Sequence, residues 1–219
     1  MSSEGSGDRL TVWALILAGG FVLGASWAGR ELEATAHESK GKGELSIHRA
    51  HQISLGPADE SFDLRFLDAM ILHHEGAVSM AAEALQKSRR REIRQLAKDI
   101  MAAQSQEIKQ MQGWRLSWYP QAPRDPVMGH EEMGHQMAMT PEMAAAMRMD
   151  TSLGSADPES DLRFLQAMIQ HHEGTLVMAR EALEKSKRLE IRQLATAIVT
   201  TQQAEIEQMR AWQKRWYPQ

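Results

Sequence analysis

The chain has 219 residues and a formal net charge of −4, without the basic excess that a nucleic-acid-binding face needs. It contains no cysteine, which excludes disulfides, thiolate metal sites and cysteine nucleophiles. Aromatic residues make up 5% while methionine occurs 15 times. From about Asp59 onward helix formers dominate and few stretches alternate like strands, so the chain reads as all-α.

Residues 1–9 form a polar tail. Residues 10–28 carry no charged side chain, and at about 1.5 Å rise per residue they match the hydrocarbon core of a bilayer. Trp13 and Trp27 near the two ends fit interfacial aromatics. The segment reads as an uncleaved single-pass transmembrane anchor, which makes the membrane a partner. The alternative is a cleaved signal peptide ending near Ser26-Trp27-Ala28, but the leading residues are not basic and the apolar run exceeds a usual signal core. Arg30, Lys40 and Lys42 against Arg9 would by charge count keep the large domain in the cytoplasm. Long domains translocate regardless of that count, and the chemistry below favours the periplasmic side. Residues 29–58 read as a linker whose His37, His48 and His51 are solvated.

An internal repeat organises the rest. Asp63-Leu64-Arg65-Phe66-Leu67 returns as Asp161-Leu162-Arg163-Phe164-Leu165. His73-His74-Glu75-Gly76 returns as His171-His172-Glu173-Gly174, and Trp118-Tyr119-Pro120 as Trp216-Tyr217-Pro218. The offset is 98 throughout, and roughly three-fifths of positions 61–120 match 159–218. Each copy, at 59–120 and 158–219, reads as two helices. Those of the first run from about Asp59 to Lys87 and from Arg89 to Trp118. Those of the second run from about Pro158 to Lys185 and from Lys187 to Trp216. Ser88 marks a turn and Pro120 a stop. Four amphipathic helices with short turns imply a four-helix bundle built from two repeated hairpins.

Leu67, Ile71, His74, Val78, Ala81 and Leu85 form one heptad seam, and Phe66, Met70, His73, Ala77, Met80 and Ala84 a second beside it. Copy two repeats both, through Met168, His171, His172 and Met178. The second helix offers Ile93, Ala97, Ile100, Gln104, Glu107, Met111, Trp114 and Trp118. Gln104 and Glu107, recurring as Gln202 and Glu205, are polar in an apolar row and need partners. The imidazoles of the facing helix are the simplest. Each unit thus gathers two His, flanking Met and a Glu on inward faces. Imidazole with thioether suits copper, as Cu(I) or Cu(II), whereas hard cations want oxygen clusters. The candidate metal ligands are Met70, His73, His74, Met80, Glu107, Met168, His171, His172, Met178 and Glu205. The competing reading is a structural polar network.

The connector at 121–157 breaks the helical pattern. Met128, His130, Met133, His135, Met137 and Met139 make it a second candidate for metal capture, one that collects copper before a firmer site receives it. A linker helix packed on the bundle is the alternative. Thr140-Pro141-Glu142 reads as a helix start.

The pattern Phe-Leu-x-Ala-Met-Ile-x-His-His-Glu-Gly, followed by Met-Ala, resembles the bacterial domain-of-unknown-function family 305, over residues 61–120 and 159–218. The resemblance implies a ferritin-like four-helix arrangement, usually exported, and copper binding in the periplasm for some members. It places the family motif on Met70, His73, His74, Glu75 and Met80 and on Met168, His171, His172, Glu173 and Met178. The retained anchor departs from the expected cleaved signal.

The expected function is therefore a membrane-anchored copper-binding protein of the cell envelope, acting in storage, buffering or resistance. The alternative is a structural subunit of a larger membrane protein complex, with the exposed Trp-Tyr-Pro ends as contacts. A di-metal oxidase would need Glu-x-x-His pairs on the core helices; the sole such spacing, Glu132 to His135, lies in the connector. No nucleophile–base–orienter set is visible, so no catalytic role and no organic substrate are expected.

Overall fold

The computed structural model describes residues 55–130 and 135–218. Each copy is a pair of long helices. Copy one has α1 (Phe62–Lys87) and α2 (Arg91–Trp118). The connector has β1 (Val127–His130), β2 (His135–Ala138) and α3 (Pro141–Arg148). Copy two has α4 (Ser160–Lys185) and α5 (Leu189–Trp216). Equivalent helices have equal length, 26 and 28 residues in each copy. The expected segment at 10–28, and His37, His48 and His51, lie outside the described residues. Among the described residues no helix is long and apolar enough to cross a membrane.

The first helices start a few residues later than periodicity suggested, because an aspartate turn precedes each. Ser61 N–H donates to the Asp59 carboxylate at 2.9 Å, and Glu159 N–H to that of Asp157 at 3.0 Å. Ahead of these turns Gly56 (φ +83°) and Gly154 (φ +70°) adopt the left-handed conformation that glycine permits. Arg65 is buried beneath the first turn and donates to the carbonyls of Leu55 and Pro57, each at 2.6 Å. Arg163 repeats this with Leu153 at 2.6 Å and Ser155 at 2.9 Å. The repeat therefore reaches upstream to Leu55, into what reads in sequence as linker. Arg65 is 2% exposed and Arg163 32%. Arg65→Met is accordingly expected to cost about 2–3 kcal/mol in urea unfolding, since it strands buried carbonyls, and Arg163→Met about 1 kcal/mol or less; equal costs would contradict this.

The copies pack antiparallel through α1 and α4. Leu55 N–H donates to Glu181 (3.1 Å) and Lys185 to the Gly56 carbonyl (2.6 Å). Reciprocally, Leu153 N–H donates to Glu83 (3.1 Å) and Lys87 to the Gly154 carbonyl. Each copy's lead-in is thus clamped by the last turns of the other copy's first helix. At the bundle ends Arg188 lies over Trp118 (4.3 Å) and pairs with Asp63 (3.3 Å), while Arg90 lies over Trp216 (4.6 Å) and pairs with Asp161 (3.1 Å). The Trp-Tyr-Pro ends therefore carry contacts between the copies.

The apolar core falls into two clusters. One takes Phe62, Phe66, Leu67 and Met70 from α1 with Met178, Ala179 and Ala182 from α4. The other takes Ala77, Met80, Ala81 and Ala84 from α1 with Phe164, Leu165 and Met168 from α4. Each large apolar side chain so buried contributes about 1.5–3 kcal/mol.

The described residues are mostly helical, as expected, and the connector adds two short strands. Its Met/His-rich stretch contains a two-stranded antiparallel ladder. The ladder lies on copy one: Val127 N–H donates to Asp68 (2.9 Å), whose carboxylate also pairs with Arg115. The helix start at Thr140 is as expected, its hydroxyl accepting from Met143 N–H at 3.2 Å.

Candidate metal centre

The four histidines of the repeated motif lie near the midpoints of α1 and α4. All four are fully buried. The rings of His73 and His171 meet at 3.8 Å between centroids. Equivalent residues that touch each other mark the pseudo-two-fold axis between the copies. His172 adjoins on the same helix, 6.2 Å from His171. Together they form a polar belt in an otherwise apolar interior.

Hydrogen bonds fix which nitrogen of each ring is free. His74 Nε2 meets the Glu107 carboxylate at 2.7 Å, and His172 Nε2 meets Glu205 at 2.7 Å. A carboxylate accepts, so Nε2–H donates and Nδ1 is left over. His171 Nε2 donates to the carbonyls of His73 (2.9 Å) and Arg148 (3.1 Å), which again leaves Nδ1. Thr175 donates its hydroxyl hydrogen to the His171 carbonyl (3.3 Å), so its oxygen accepts from His73 Nδ1 (3.2 Å). That leaves Nε2 of His73. These four leftover atoms, His73 Nε2 and the Nδ1 atoms of His74, His171 and His172, are buried without a protein partner. So are the Oε1 atoms of Gln104 and Gln202. Every one presents a lone pair.

Burial drives the charge off the two central rings. Desolvation, reinforced by the neighbouring imidazoles, holds His73 well below the usual histidine range. Desolvation likewise lowers His171 to about 3, with His172 and His74 adding to it. Both are neutral at ordinary pH, and neutral imidazole is the form that binds metal.

The sulfur donors flank the belt. Met70, Met80, Met168 and Met178 are buried at 0–1% exposure, Met70 and Met178 in one apolar cluster and Met80 and Met168 in the other. Among the described residues no group of three His, Asp or Glu side chains is placed to hold a metal ion by itself. Glu107 and Glu205, expected in sequence among the ligands, stand instead as hydrogen-bond partners of His74 and His172. This is the arrangement by which a carboxylate fixes the orientation and tautomer of a metal-binding imidazole. Glu75 and Glu173 of the motif point elsewhere, to Arg148 (2.9 Å) and to Arg210.

Of the connector residues, Met139 is buried in the core. Met128 and Met137 are partly exposed on the strands, Met128 pairs with Met137 and His130 with His135, and Met133 lies outside the described residues. Sequence reasoning missed two contributors. The Arg148 carbonyl, at the C-terminal end of α3 where carbonyls lack helical partners, orients His171. Thr175 orients His73. Thr175 was visible as a break in the repeat, since its counterpart is Ala77.

The family described as Domain of unknown function (DUF305) matches residues 63–213. Structures of CopM in its Cu(II)-bound and Cu(I)-bound forms are similar to this chain, at 32% and 30% identity and TM-scores of 0.57 and 0.54. Each comparison covers 71% of this chain and 97% of CopM. A DUF305 fragment from Deinococcus radiodurans is 32% identical with a TM-score of 0.57, covering 73% of this chain and 99% of the fragment. None of the curated proteins matches. With the family matched over residues 63–213, more than half of the chain, the chain belongs to the DUF305 family.

Proposed function

We propose that this protein binds copper in the belt between its two copies, and serves in the cell envelope in copper storage, buffering or resistance. The observation that carries this reading is the set of four buried imidazole nitrogens with no protein partner, between clusters containing four buried thioethers. An unpaired buried polar atom costs about 1–3 kcal/mol. Unpaired lone pairs in an apolar interior suit cations, and since among the described residues no three such side chains hold an ion by themselves, thioether sulfur would complete each site. Soft thioether beside imidazole selects copper over hard cations. The holders would be His73, His74, His171 and His172 with Met70, Met80, Met168 and Met178, while Glu107 and Glu205 orient two of the rings. The existence of Cu(I)-, Cu(II)- and silver-bound forms of the similar CopM supports this choice of metal. Placement in the envelope rests on the apolar segment at 10–28 and on similarity to a putative secreted DUF305 protein from Streptomyces coelicolor, 28% identical with a TM-score of 0.52.

The test is a Cu(I) titration of the full chain, in detergent and without oxygen, against a chromogenic Cu(I) chelator. Replacing His74 and His172 by Gln is expected to abolish belt binding. The variant Glu107→Gln/Glu205→Gln is expected to keep the sites but weaken them about 10–100-fold, the usual effect of losing a ligand's carboxylate partner. Native-like affinity in the His variant would sink the proposal. Complete loss in the Glu variant would make the carboxylates ligands themselves.

A further inference from the structure

Every imidazole of the belt is fully buried, so an ion reaches it only when a covering element moves. On the side of His171 that element is α3. Its last carbonyl, that of Arg148, accepts from His171 Nε2 at 3.1 Å. The same carbonyl presses on α1 at Gly76, where a Cβ would lie 1.9 Å from its oxygen. What holds α3 there is slight. None of its residues is buried, whereas α1, α2, α4 and α5 each bury a full face. Its apolar contacts with the core are the partly buried Ala144 and Met147. Arg148 pairs with Glu75 at 2.9 Å, but both side chains are more than a third exposed, and such a pair contributes little. Met149, which ends the helix, has φ +48°. That left-handed conformation is unfavourable for a residue with a side chain, and it relaxes when α3 lets go. Elements with so few buried apolar contacts open far more often than the whole fold does.

We infer that α3 is a lid on the belt: it swings off α1, parting Arg148 from Glu75 and from His171, admits a copper ion, and closes behind it. That copper is what passes rests on the proposed function; the opening of the lid does not. Because the lid closes over the empty and the filled belt alike, it sets the rates of uptake and release and leaves the affinity unchanged.

Two variants bias the lid in opposite directions. Arg148→Gln removes the ion pair and keeps the carbonyl, while Met149→Gly removes the left-handed strain. The control, Arg210→Gln, breaks the counterpart pair on Glu173, which ties α4 to α5 and not to the lid. Circular dichroism confirms that all three keep their helices. In the full chain, in detergent and without oxygen, stopped flow follows Cu(I) uptake from its bicinchoninate complex and Cu(I) removal by excess bicinchoninate. Both rates are expected to rise about threefold in Arg148→Gln and to fall about threefold in Met149→Gly, with the affinity unchanged. The control is expected to match the native chain. A metal-free reading is the carbethoxylation of His171 by diethyl pyrocarbonate, located by mass spectrometry, which is expected to move in the same two directions. Rates of uptake and of His171 modification that are equal in both variants and the native chain overturn the lid. A native chain that takes up no Cu(I), while His171 modification still follows the two variants, upholds the lid and overturns the belt reading instead.

Discussion

Replacing Gly76 by alanine is expected to lower the thermal midpoint by roughly 6–12 °C, equivalent to about 3 kcal/mol in a domain of this size. In an ordinary helix interior the same change gains up to about 1 kcal/mol, because alanine has less backbone freedom to lose. Here the sign reverses. A methyl group on Gly76 would fall inside the contact distance of the Arg148 carbonyl oxygen, which is backbone and cannot swing aside. To admit it, the end of α3 must withdraw, and the carbonyl loses its hydrogen bond from His171. Gly113→Ala is the control: nothing lies within 4 Å of the added carbon, and a small gain in stability is expected. Thermal unfolding of both variants checks the pair. Two changes of the same sign would contradict the close approach of α3.

The copper-free protein is expected to lose stability steadily as pH falls below about 6.5. His73 and His171 are neutral in the fold because burial opposes their charge. In the unfolded chain they regain a pKa near 6.5. Between that value and the folded one the unfolded state binds more protons, so stability rises with pH. The contribution is fully present above about 6.5 and is lost on acidification through the range down to the folded pKa, about 3 for His171. For His171 alone the loss reaches about 2 kcal/mol by pH 5 and about 4 kcal/mol near pH 3. His73 adds to it in the same direction. Urea unfolding between pH 8 and pH 4.5 measures this. A flat profile would mean that the two rings are charged or solvated in the fold.

The long helices and their inward faces were legible because burial imposes a period that sequence displays directly. Ile93, Ala97, Ile100, Gln104 and Met111 read as a seam and are buried. The burial of the His pairs was legible for a second reason: both imidazoles of each pair lie on an apolar face, and the second copy repeats them. The role of Glu107 and Glu205 was only half legible. Spacing put them opposite the histidines, but only the fold shows the carboxylate on Nε2, with Nδ1 left without a protein partner. The connector was least legible. Its strands are four residues each, too short for alternation to stand out among Met, Gly and His. The signal that places it lies instead in the repeat's imperfections. Asp68 and Arg115 anchor the ladder on copy one, and their counterparts Gln166 and Gln213 cannot form that ion pair. Departures from the repeat thus mark the surface on which the connector packs.

Copper held in the imidazole belt is what the proposed function requires. The most direct measurement loads the full chain with Cu(I) without oxygen, removes free metal, and counts copper per chain. It is done for the native protein and for the chain with His73, His74, His171 and His172 all replaced by Gln. Retained helicity is checked by circular dichroism, and a two-residue variant at His74 and His172 alone serves if the fourfold change unfolds the bundle. This structure calls for fewer copper ions in the variant, with the missing ions restored when the histidines are restored. Equal copper in the two folded proteins would contradict it and would leave the belt as a polar network in the core.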